Sequence, residues 1–224
     1  MRRSLLPALL LAACATGGAR DLAVPIRPTH FACSDPSRWR WRDLGDGDAV
    51  LQLLPGSDYR PPFRSPQAIA LLRSVELRDF DLDLDLMQTG RDYGHRDLCL
   101  VLGFESNTRF CYVHLAQAPD PHAHNVFRVA DEDRVALLPV PARGIEWGDG
   151  VWHHVRLERR TADGSITVYW DRAKTPILRA TCRDFEWGRV GLGSFDDEGQ
   201  FANLRLTNAQ SRPDADRGDP FGTR

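Results

Sequence analysis

The side chains best suited to bind a ligand are concentrated around one predicted β-hairpin. Four of the seven histidines lie in or beside it. Imidazole, guanidinium, carboxylate and amide groups form directed hydrogen bonds, while an aromatic ring offers a flat apolar surface. This combination suits a polyhydroxylated ligand such as a sugar; the alternative is a solvent-facing sheet with ordinary polar residues. The residues that we expect to contact the ligand are His95, Arg96, Asp97, Tyr112, His114, His124, Asn125 and Trp147.

The same histidines could instead bind a metal ion. His122 and His124 are two residues apart, so an extended chain would place both imidazoles on one side. His114 or Asp120 could then complete a zinc shell. The helical H-E-x-x-H spacing of zinc enzymes is absent from the sequence. Zinc at this position is therefore an alternative to ligand binding.

A ladder of aspartates offers a second kind of chemistry, since Asp79, Asp81, Asp83 and Asp85 alternate with other residues. Neighbouring carboxylates on one strand face lie about 6–7 Å apart at the backbone. Glycosidases use carboxyl pairs that are about 5–9.5 Å apart. Any alternating acidic strand has this spacing, so a solvated outer face is the alternative. The sequence contains no G-x-S-x-G nucleophile motif and no phosphate-binding glycine loop.

These groups must be positioned by strands, because the apolar residues repeat with a period of two. From Phe80 to Leu86, apolar and acidic residues alternate without a break, which predicts a strand with one buried and one wet face. No segment has the 3.6-residue period of an amphipathic helix. Short strands separated by Gly, Pro and Asp turns predict an all-β fold, a two-sheet antiparallel β-sandwich. The other predicted strands cover residues 50–54, 68–72, 98–104, 110–116, 125–129, 155–159, 165–171, 189–193 and 201–207.

Alternate residues of these strands should form a core between the two sheets. The residues expected there are Leu82, Leu84, Leu100, Leu102, Val155, Leu157, Val168 and Leu204. Trp152 is expected to pack beside Val155. Of the two histidines that follow Trp152, one should be structural and the other exposed.

The register of the first hairpin separates two of the cysteines. A loop centred on residues 106 and 107 places Cys99 opposite His114, and Leu102 opposite Cys111. Cys111 then faces the core as a buried thiol, whereas Cys99 lies on the other face with Tyr112 and His114. Two cysteines on opposite faces of one hairpin cannot form a disulfide. A bridge between Cys33 and Cys182 remains open.

Two motifs resemble a known superfamily. The first is Trp147-Gly148-Asp149-Gly150-Val151-Trp152-His153-His154-Val155-Arg156-Leu157. The second is Gly188-Arg189-Val190-Gly191-Leu192-Gly193-Ser194-Phe195 with the later Phe201-Ala202-Asn203-Leu204-Arg205-Leu206. Together they resemble laminin-G-like domains of the concanavalin A-like lectin and glucanase superfamily. Within it, the chain looks most similar to bacterial proteins grouped with family 16 glycoside hydrolases and 3-keto-disaccharide hydrolases.

This resemblance implies a concanavalin A-like jelly roll that binds its ligand on the concave sheet. It also implies a structural calcium ion, for which Asp196, Asp197 and Asn203 are the candidate ligands. No other cofactor is expected. The E-x-D-x-x-E motif of the glucanases is absent, which leaves catalysis and the catalytic residues open.

The N-terminal residues resemble a bacterial lipoprotein signal. Arg2 and Arg3 precede a short apolar run that ends in Leu11-Ala12-Ala13-Cys14, similar to a lipobox. We therefore expect a signal peptide over residues 1–13, lipidation of Cys14, a tether over 14–30, the sandwich over 31–207 and a disordered tail over 208–224. An ordinary secretory signal is the alternative.

Charge argues against nucleic acid as a partner. Removal of Arg2 and Arg3 leaves 27 of the 29 basic residues against 31 acidic ones, a net charge of −4. Nucleic-acid binding needs a basic surface.

The sequence thus predicts a carbohydrate-binding lipoprotein of the cell envelope, in contact with the membrane only through its lipid. Many Gram-negative lipoproteins that are retained in the inner membrane have an aspartate directly after the lipidated cysteine. This chain has Ala15 at that position, so the outer membrane is expected by resemblance. The alternatives are a glycoside hydrolase or related sugar-processing enzyme, and a protein-interaction scaffold.

Overall fold

The computed structural model describes residues 19–23, 26–45, 48–214 and 218–222, and antiparallel strands make up most of them. The predicted signal peptide (1–13) and Cys14 lie outside the described residues. Two short 3-10 helices are Pro28–His30 and Pro36–Arg38. Within the described ranges, no helix has the length and apolar character needed to cross a membrane. The strands are β1 (Arg20–Ala23), β2 (Phe31–Cys33), β3 (Trp39–Gly45), β4 (Asp48–Leu53), β5 (Ala68–Leu72), β6 (Val75–Leu77), β7 (Phe80–Gln88), β8 (Asp97–Ser106), β9 (Arg109–Ala116), β10 (Asn125–Ala130), β11 (Val135–Ala136), β12 (Trp152–Arg160), β13 (Ser165–Trp170), β14 (Leu178–Thr181), β15 (Arg189–Ser194), β16 (Gly199–Ala209) and β17 (Ser211–Pro213).

Two large antiparallel sheets form the sandwich. Sheet A has the order β14-β13-β12-β7-β16-β4-β3, and β1 also pairs with β16. Sheet B has the order β11-β10-β9-β8-β15-β5-β2. A small two-stranded sheet joins β17 to β6. The predicted all-β, two-sheet antiparallel sandwich is therefore confirmed.

The main core lies between the two sheets, where the predicted alternation places it. All eight predicted core residues belong to this cluster, and none is more than 4% exposed. The predicted hairpin register is also confirmed, because Cys99 pairs with His114 and Leu102 with Cys111. Cys111 consequently packs in the main core, while Cys99 lies on the other side of sheet B.

A second apolar layer covers the outer face of sheet B. Tyr59 and Phe63, from the segment before β5, and Phe221, near the C-terminus, pack on this face. Phe221 lies with its ring centroid 5.4 Å from that of Tyr59 and 5.8 Å from that of Phe104. The face that the sequence analysis treated as open is therefore buried. Its strands carry nearly continuous apolar runs, which is the pattern of strands buried on both faces.

Both ends of the chain contribute more structure than the sequence indicated. Part of the predicted tether forms β1, which pairs with β16 at the edge of sheet A. Part of the predicted disordered tail forms β17, and Phe221 is only 3% exposed. A few backbone pairs and one aromatic anchor order these segments. Composition, on which the predicted disorder depended, does not reveal such contacts.

Candidate functional site

Asp97 and His114 form the centre of a buried polar network on the outer face of sheet B. Asp97 Oδ2 lies 3.0 Å from His114 Nε2, and Cys99 Sγ donates to the same oxygen at 3.2 Å. Ser194 Oγ donates to Asp97 Oδ1 at 2.7 Å. Burial by itself would raise the pKa of Asp97, but the charge of His114 and these hydrogen bonds hold it below its usual value. Both carboxylate oxygens of Asp97 thus contact partners within the protein.

Asp197 extends this network toward the surface. Its Oδ2 accepts from the backbone N–H of Asp97 at 2.7 Å and from the Tyr93 hydroxyl at 2.9 Å. Burial and the charge of Asp97 raise the pKa of Asp197 to about 7. The carboxyl group therefore holds its proton almost to neutral pH.

An aromatic and cationic cover closes the network. The ring of Phe195 stacks on His114 with centroids 5.0 Å apart. The Arg134 guanidinium lies over the rings of Phe127 and Phe195, at 4.4 and 4.9 Å from their centroids. Arg134 also donates to the Tyr112 hydroxyl at 2.6 Å. Tyr112 and His114 are 0% and 6% exposed, so this face has no open groove around them.

The other predicted ligand contacts are also internal, with one exception. Arg96 donates to backbone carbonyls of adjacent loops, and Trp147 Nε1 donates to the Arg96 carbonyl at 3.1 Å. The Asn125 side chain both donates to and accepts from the backbone of a neighbouring loop. Only His95 is exposed, and it lies 3.5 Å from Asp120. The predicted residues therefore cluster around the first hairpin but do not line an open surface.

His124 has an unusual backbone conformation and a buried ring with one unpaired nitrogen. Its backbone has a φ of 49°, in the left-handed region that few side chains adopt. The ring is buried, and Nδ1 accepts from the Ala116 N–H at 3.4 Å, whereas Nε2 has no partner. Burial and the charge of His114 lower the pKa of His124 to about 4. His124 is therefore a neutral structural histidine at physiological pH.

Two groups of side chains among the described residues converge closely enough to hold a metal ion. Asp97, Cys99 and His114 form one, and Asp97, Asp196 and Asp197 form the other; in each, the ligand atoms lie within 4.8 Å of one another. Thiolate, imidazole and carboxylate are zinc ligands, whereas three carboxylates suit calcium. Two of the three predicted calcium ligands therefore come together.

The other predicted metal ligands are placed elsewhere. Asn203 donates to Asp85 Oδ2 at 2.7 Å, on sheet A. Asp120, expected in a zinc shell with His122, instead accepts from the His122 backbone N–H at 2.6 Å. His122 and His124 belong to neither convergent group.

The aspartate ladder on the outer face of sheet A is an ion-pair network. Asp81 is 1% exposed and contacts both Arg156 and Arg160. Arg156 also donates to Asp83 at 3.0 Å. The fourth ladder residue, Asp79, accepts from the backbone and hydroxyl of Thr161. Arg156 and Arg160 thus pair with the carboxylates of Asp81 and Asp83. The ladder is therefore less accessible to water than a catalytic pair or a solvated outer face would be.

An open pocket of about 340 Å³ lies where this ladder meets the start of β12. Its lining residues are Asp85, Trp152, His153, His154, Asp171 and Arg172. Trp152 is 41% exposed and lines the pocket, so it is not packed in the interior as predicted. His154 Nδ1 lies 2.9 Å from Asp85 Oδ1, and its Nε2 lies 3.3 Å from Asp83 Oδ1. The pocket thus combines an accessible indole with polar groups held in fixed positions.

A strained turn builds one wall of this pocket. Asp171 and Arg172, between β13 and β14, have φ angles of 49° and 58°. The left-handed conformation costs roughly 1–2 kcal/mol per non-glycine residue. In this turn, Asp171 Oδ1 accepts from the His154 N–H at 3.1 Å, and Oδ2 lies 2.9 Å from His153 Nδ1. Strain of this kind is concentrated at functional sites.

His153 completes the support for this wall. Its Nε2 lies 2.8 Å from the Trp147 carbonyl, and its ring stacks on Trp170 with centroids 4.5 Å apart. His153 is buried and structural as expected, but His154 is half-buried between two aspartates instead of exposed. The motif that resembled laminin-G-like domains therefore builds the pocket edge.

No protein-family model matches the chain, and no curated protein matches it in sequence. Solved structures do match. The carbohydrate-binding module CBM66 from Bacillus subtilis aligns with a TM-score of 0.55 and 14% identity over 80% of this chain and 96% of its own. Peanut lectin aligns with a TM-score of 0.51 and 11% identity over 89% of this chain and 100% of its own. The chain has a lectin-like jelly-roll fold. A Bacillus subtilis protein of unknown function with a galectin-like fold also matches, with a TM-score of 0.50 and 10% identity over 86% of this chain and 97% of its own.

The two outer faces of this jelly roll differ in access. Sheet B is covered by aromatic residues, whereas sheet A has the open pocket beside its ion-paired aspartate ladder. Of the pocket residues, sequence reasoning considered only Asp85 as a site residue and missed the other five, which are Trp152, His153, His154, Asp171 and Arg172. Trp152 has the parity of His154 and Arg156, the outward residues of β12, so alternation could have assigned it to the outer face. The turn that positions Arg172 gives no such signal in the sequence. Its two left-handed positions are Asp171 and Arg172, where the usual marker would be glycine.

Proposed function

We propose that the protein binds carbohydrate through the pocket of sheet A lined by Trp152. The observation that carries this proposal is an exposed indole beside ordered carboxylate, imidazole and guanidinium groups in one open pocket. Its volume lies at the lower end of the roughly 300–1,000 Å³ of small-molecule sites. A ligand of this size is a monosaccharide or the end of a glycan chain.

The chemistry of the pocket suits a sugar. The face of an indole carries partial negative charge and attracts the C–H groups on one side of a sugar ring. Asp85 and Asp171 accept hydrogen bonds from hydroxyl groups, and Arg172 donates them. His154 is fixed between two carboxylates, so it keeps one orientation without a ligand. A preorganised site of this kind loses little entropy on binding.

A longer glycan can continue across sheet A. Strand register places Trp152, Met87, Gln200, Gln52 and Arg40 in one row of neighbouring strands. Met87, Gln200 and Gln52 each adjoin a core residue in sequence and so face outward, and their strand partners Trp152 and Arg40 share that face. With strands about 4.8 Å apart, the row extends roughly 19 Å from the pocket. Two amides and a guanidinium along it supply further hydrogen bonds to hydroxyl groups.

The fold supports the same proposal. The structures that match include a carbohydrate-binding module and the winged bean acidic lectin in complex with methyl-α-D-galactose, the latter with a TM-score of 0.50. Grouping with family 16 glycoside hydrolases and 3-keto-disaccharide hydrolases depends only on the two sequence motifs. We further propose that the domain acts at the bacterial cell envelope, held by a lipid on Cys14.

A glycan array with matched tryptophan variants tests the site. Trp152→Ala should reduce glycan affinity at least about tenfold, since loss of one well-packed aromatic contact costs more than about 1.4 kcal/mol. Trp41→Ala is the control, because Trp41 is 37% exposed on the far edge strand of the same sheet. It should bind as the wild type does. Absence of any glycan ligand for the wild type, or equal binding by Trp152→Ala, would contradict the proposal.

A further inference from the structure

Two cysteines from opposite sheets meet in the core. Cys111 lies within β9 of sheet B, and Cys182 directly follows β14, the edge strand of sheet A. Their sulfur atoms are 2.7 Å apart, and the residues are 2% and 3% exposed. A disulfide bond spans about 2.05 Å, so a shift of roughly 0.7 Å would join them. The sequence leaves open a bridge between Cys33 and Cys182, but the structure places Cys182 against Cys111.

Local structure holds Cys182 in this position. Its backbone N–H donates to the Gly164 carbonyl at 2.8 Å. Gly164 has a φ of 79°, and a Cβ atom there would lie 2.9 Å from the Cys182 carbonyl oxygen. The Arg159 guanidinium is buried and donates to the carbonyls of both Gly164 and Cys182 at 2.8 Å. A side chain at position 164 would prevent this close approach, so glycine is required there. The turn between β12 and β13 therefore holds Cys182 next to β9.

We propose that Cys111 and Cys182 are oxidised to a disulfide that ties edge strand β14 of sheet A to β9 of sheet B. The oxidant is a disulfide compound, either glutathione disulfide or a thiol–disulfide oxidoreductase. One protein thiolate attacks it to form a mixed disulfide and releases the first oxidant thiolate. The second cysteine then displaces the remaining oxidant sulfur. In total, two thiols lose two protons and two electrons, and one oxidant disulfide becomes two thiols.

Charge near the pair favours Cys182 as the attacking thiolate. A hydrogen bond from Cys111 and the charge of Arg159 hold the pKa of Cys182 below its usual value. Burial instead raises the pKa of Cys111. The lower-pKa thiol supplies the nucleophile, and its neighbour resolves the mixed disulfide.

The other two described cysteines do not compete for this bond. Cys99 lies on the opposite side of sheet B, where it donates to Asp97. Cys33 lies in β2, the edge strand of sheet B, and is separated from β9 and its Cys111 by the three strands β5, β15 and β8. Burial raises the pKa of Cys33 to about 12. Both should stay as thiols. This inference is independent of the carbohydrate proposal, since neither cysteine lines the pocket.

The bond can be mapped by alkylation in denaturant after the full chain is exposed to glutathione disulfide. Peptide mass mapping should show Cys33 and Cys99 alkylated, and the peptides of Cys111 and Cys182 joined. Alkylation of Cys33, Cys99, Cys111 and Cys182 alike, or a joined Cys33–Cys182 pair, would overturn the proposal. The wild-type map decides the question even if no variant folds.

A stability measurement provides a second readout. Reduction should lower the melting temperature of the wild type by about 5–15 °C, because the bond closes a loop of 71 residues. Cys182→Ala should melt at the same temperature with and without reductant. Cys33→Ala, the control, should respond to reductant as the wild type does. A wild-type melting temperature that does not change with reductant would contradict the proposed disulfide.

Discussion

The histidines of this protein show how local partners decide the role of one residue type. His154 has a carboxylate beside each ring nitrogen, which fixes the orientation of its ring. His153 bridges a carboxylate and a carbonyl in the same way. His124 is the opposite case, since one of its buried nitrogens has no partner. The first two stabilise the pocket wall, whereas the third makes the fold sensitive to acid.

Acid sensitivity follows from the lowered pKa of His124. Its ordinary pKa is 6.5, and the folded value is about 4. Between these values the unfolded chain takes up a proton that the folded chain cannot, so stability falls as pH drops from 6.5 toward 4. His124→Asn removes this group and keeps a residue that tolerates a left-handed backbone. Between pH 7 and 4.5 its melting temperature should fall about 2–6 °C less than that of the wild type.

Thermal unfolding at several pH values measures this difference. Every other titrating group, Asp197 included, is common to both proteins, so the comparison isolates His124. His95→Asn is the control, because His95 is exposed and should not change the profile. Equal acid sensitivity of His124→Asn and the wild type would show that His124 is not the cause.

At the scale of elements, the sequence predicted best where alternation is strict. The Phe80–Leu86 pattern located β7 and its buried face, because one side of that strand is polar throughout. In β8 and β9 the apolar residues are nearly continuous, although a ligand is expected from the sequence on their second face. These runs indicated burial on both faces. What could not be predicted is the cover itself, since Tyr59 and Phe221 are distant in sequence from the strands that they pack on.

The core of β7 permits a stability test of this alternation. Leu84 is fully buried between the sheets, so Leu84→Ala should lower the free energy of unfolding by about 2–5 kcal/mol. Arg205 lies on the neighbouring strand and points outward, with 63% of its side chain exposed. Arg205→Ala should change the free energy by no more than about 0.5 kcal/mol. Chemical denaturation of the three proteins gives these values, and similar losses for both variants would contradict the assigned faces.

At the scale of the whole molecule, the position of β1 limits how far the domain can be from a lipid on Cys14. Strand β1 begins at Arg20 and pairs with β16 of sheet A. The five residues between Cys14 and Arg20 make six Cα–Cα steps, which reach at most about 20 Å. A lipid-anchored form would therefore hold sheet A close to the membrane surface, unlike the longer tether expected from composition. The proposed pocket would then meet glycans of the envelope itself.

Lipidation of Cys14 can be tested directly in the bacterial host. The run Leu11-Ala12-Ala13-Cys14 predicts that the thiol is acylated and that residues 1–13 are removed. Cells fed a fatty-acid probe should label the wild type and leave Cys14→Ser unlabelled. Cys33→Ser is the control for a cysteine change elsewhere and should label normally, because Cys33 lies in β2 within the folded domain. The unlabelled variant should also leave the membrane fraction or accumulate as precursor, since it lacks the lipid that supplies the membrane affinity. Equal labelling of Cys14→Ser and the wild type would exclude this anchor, whatever the outcome for the pocket.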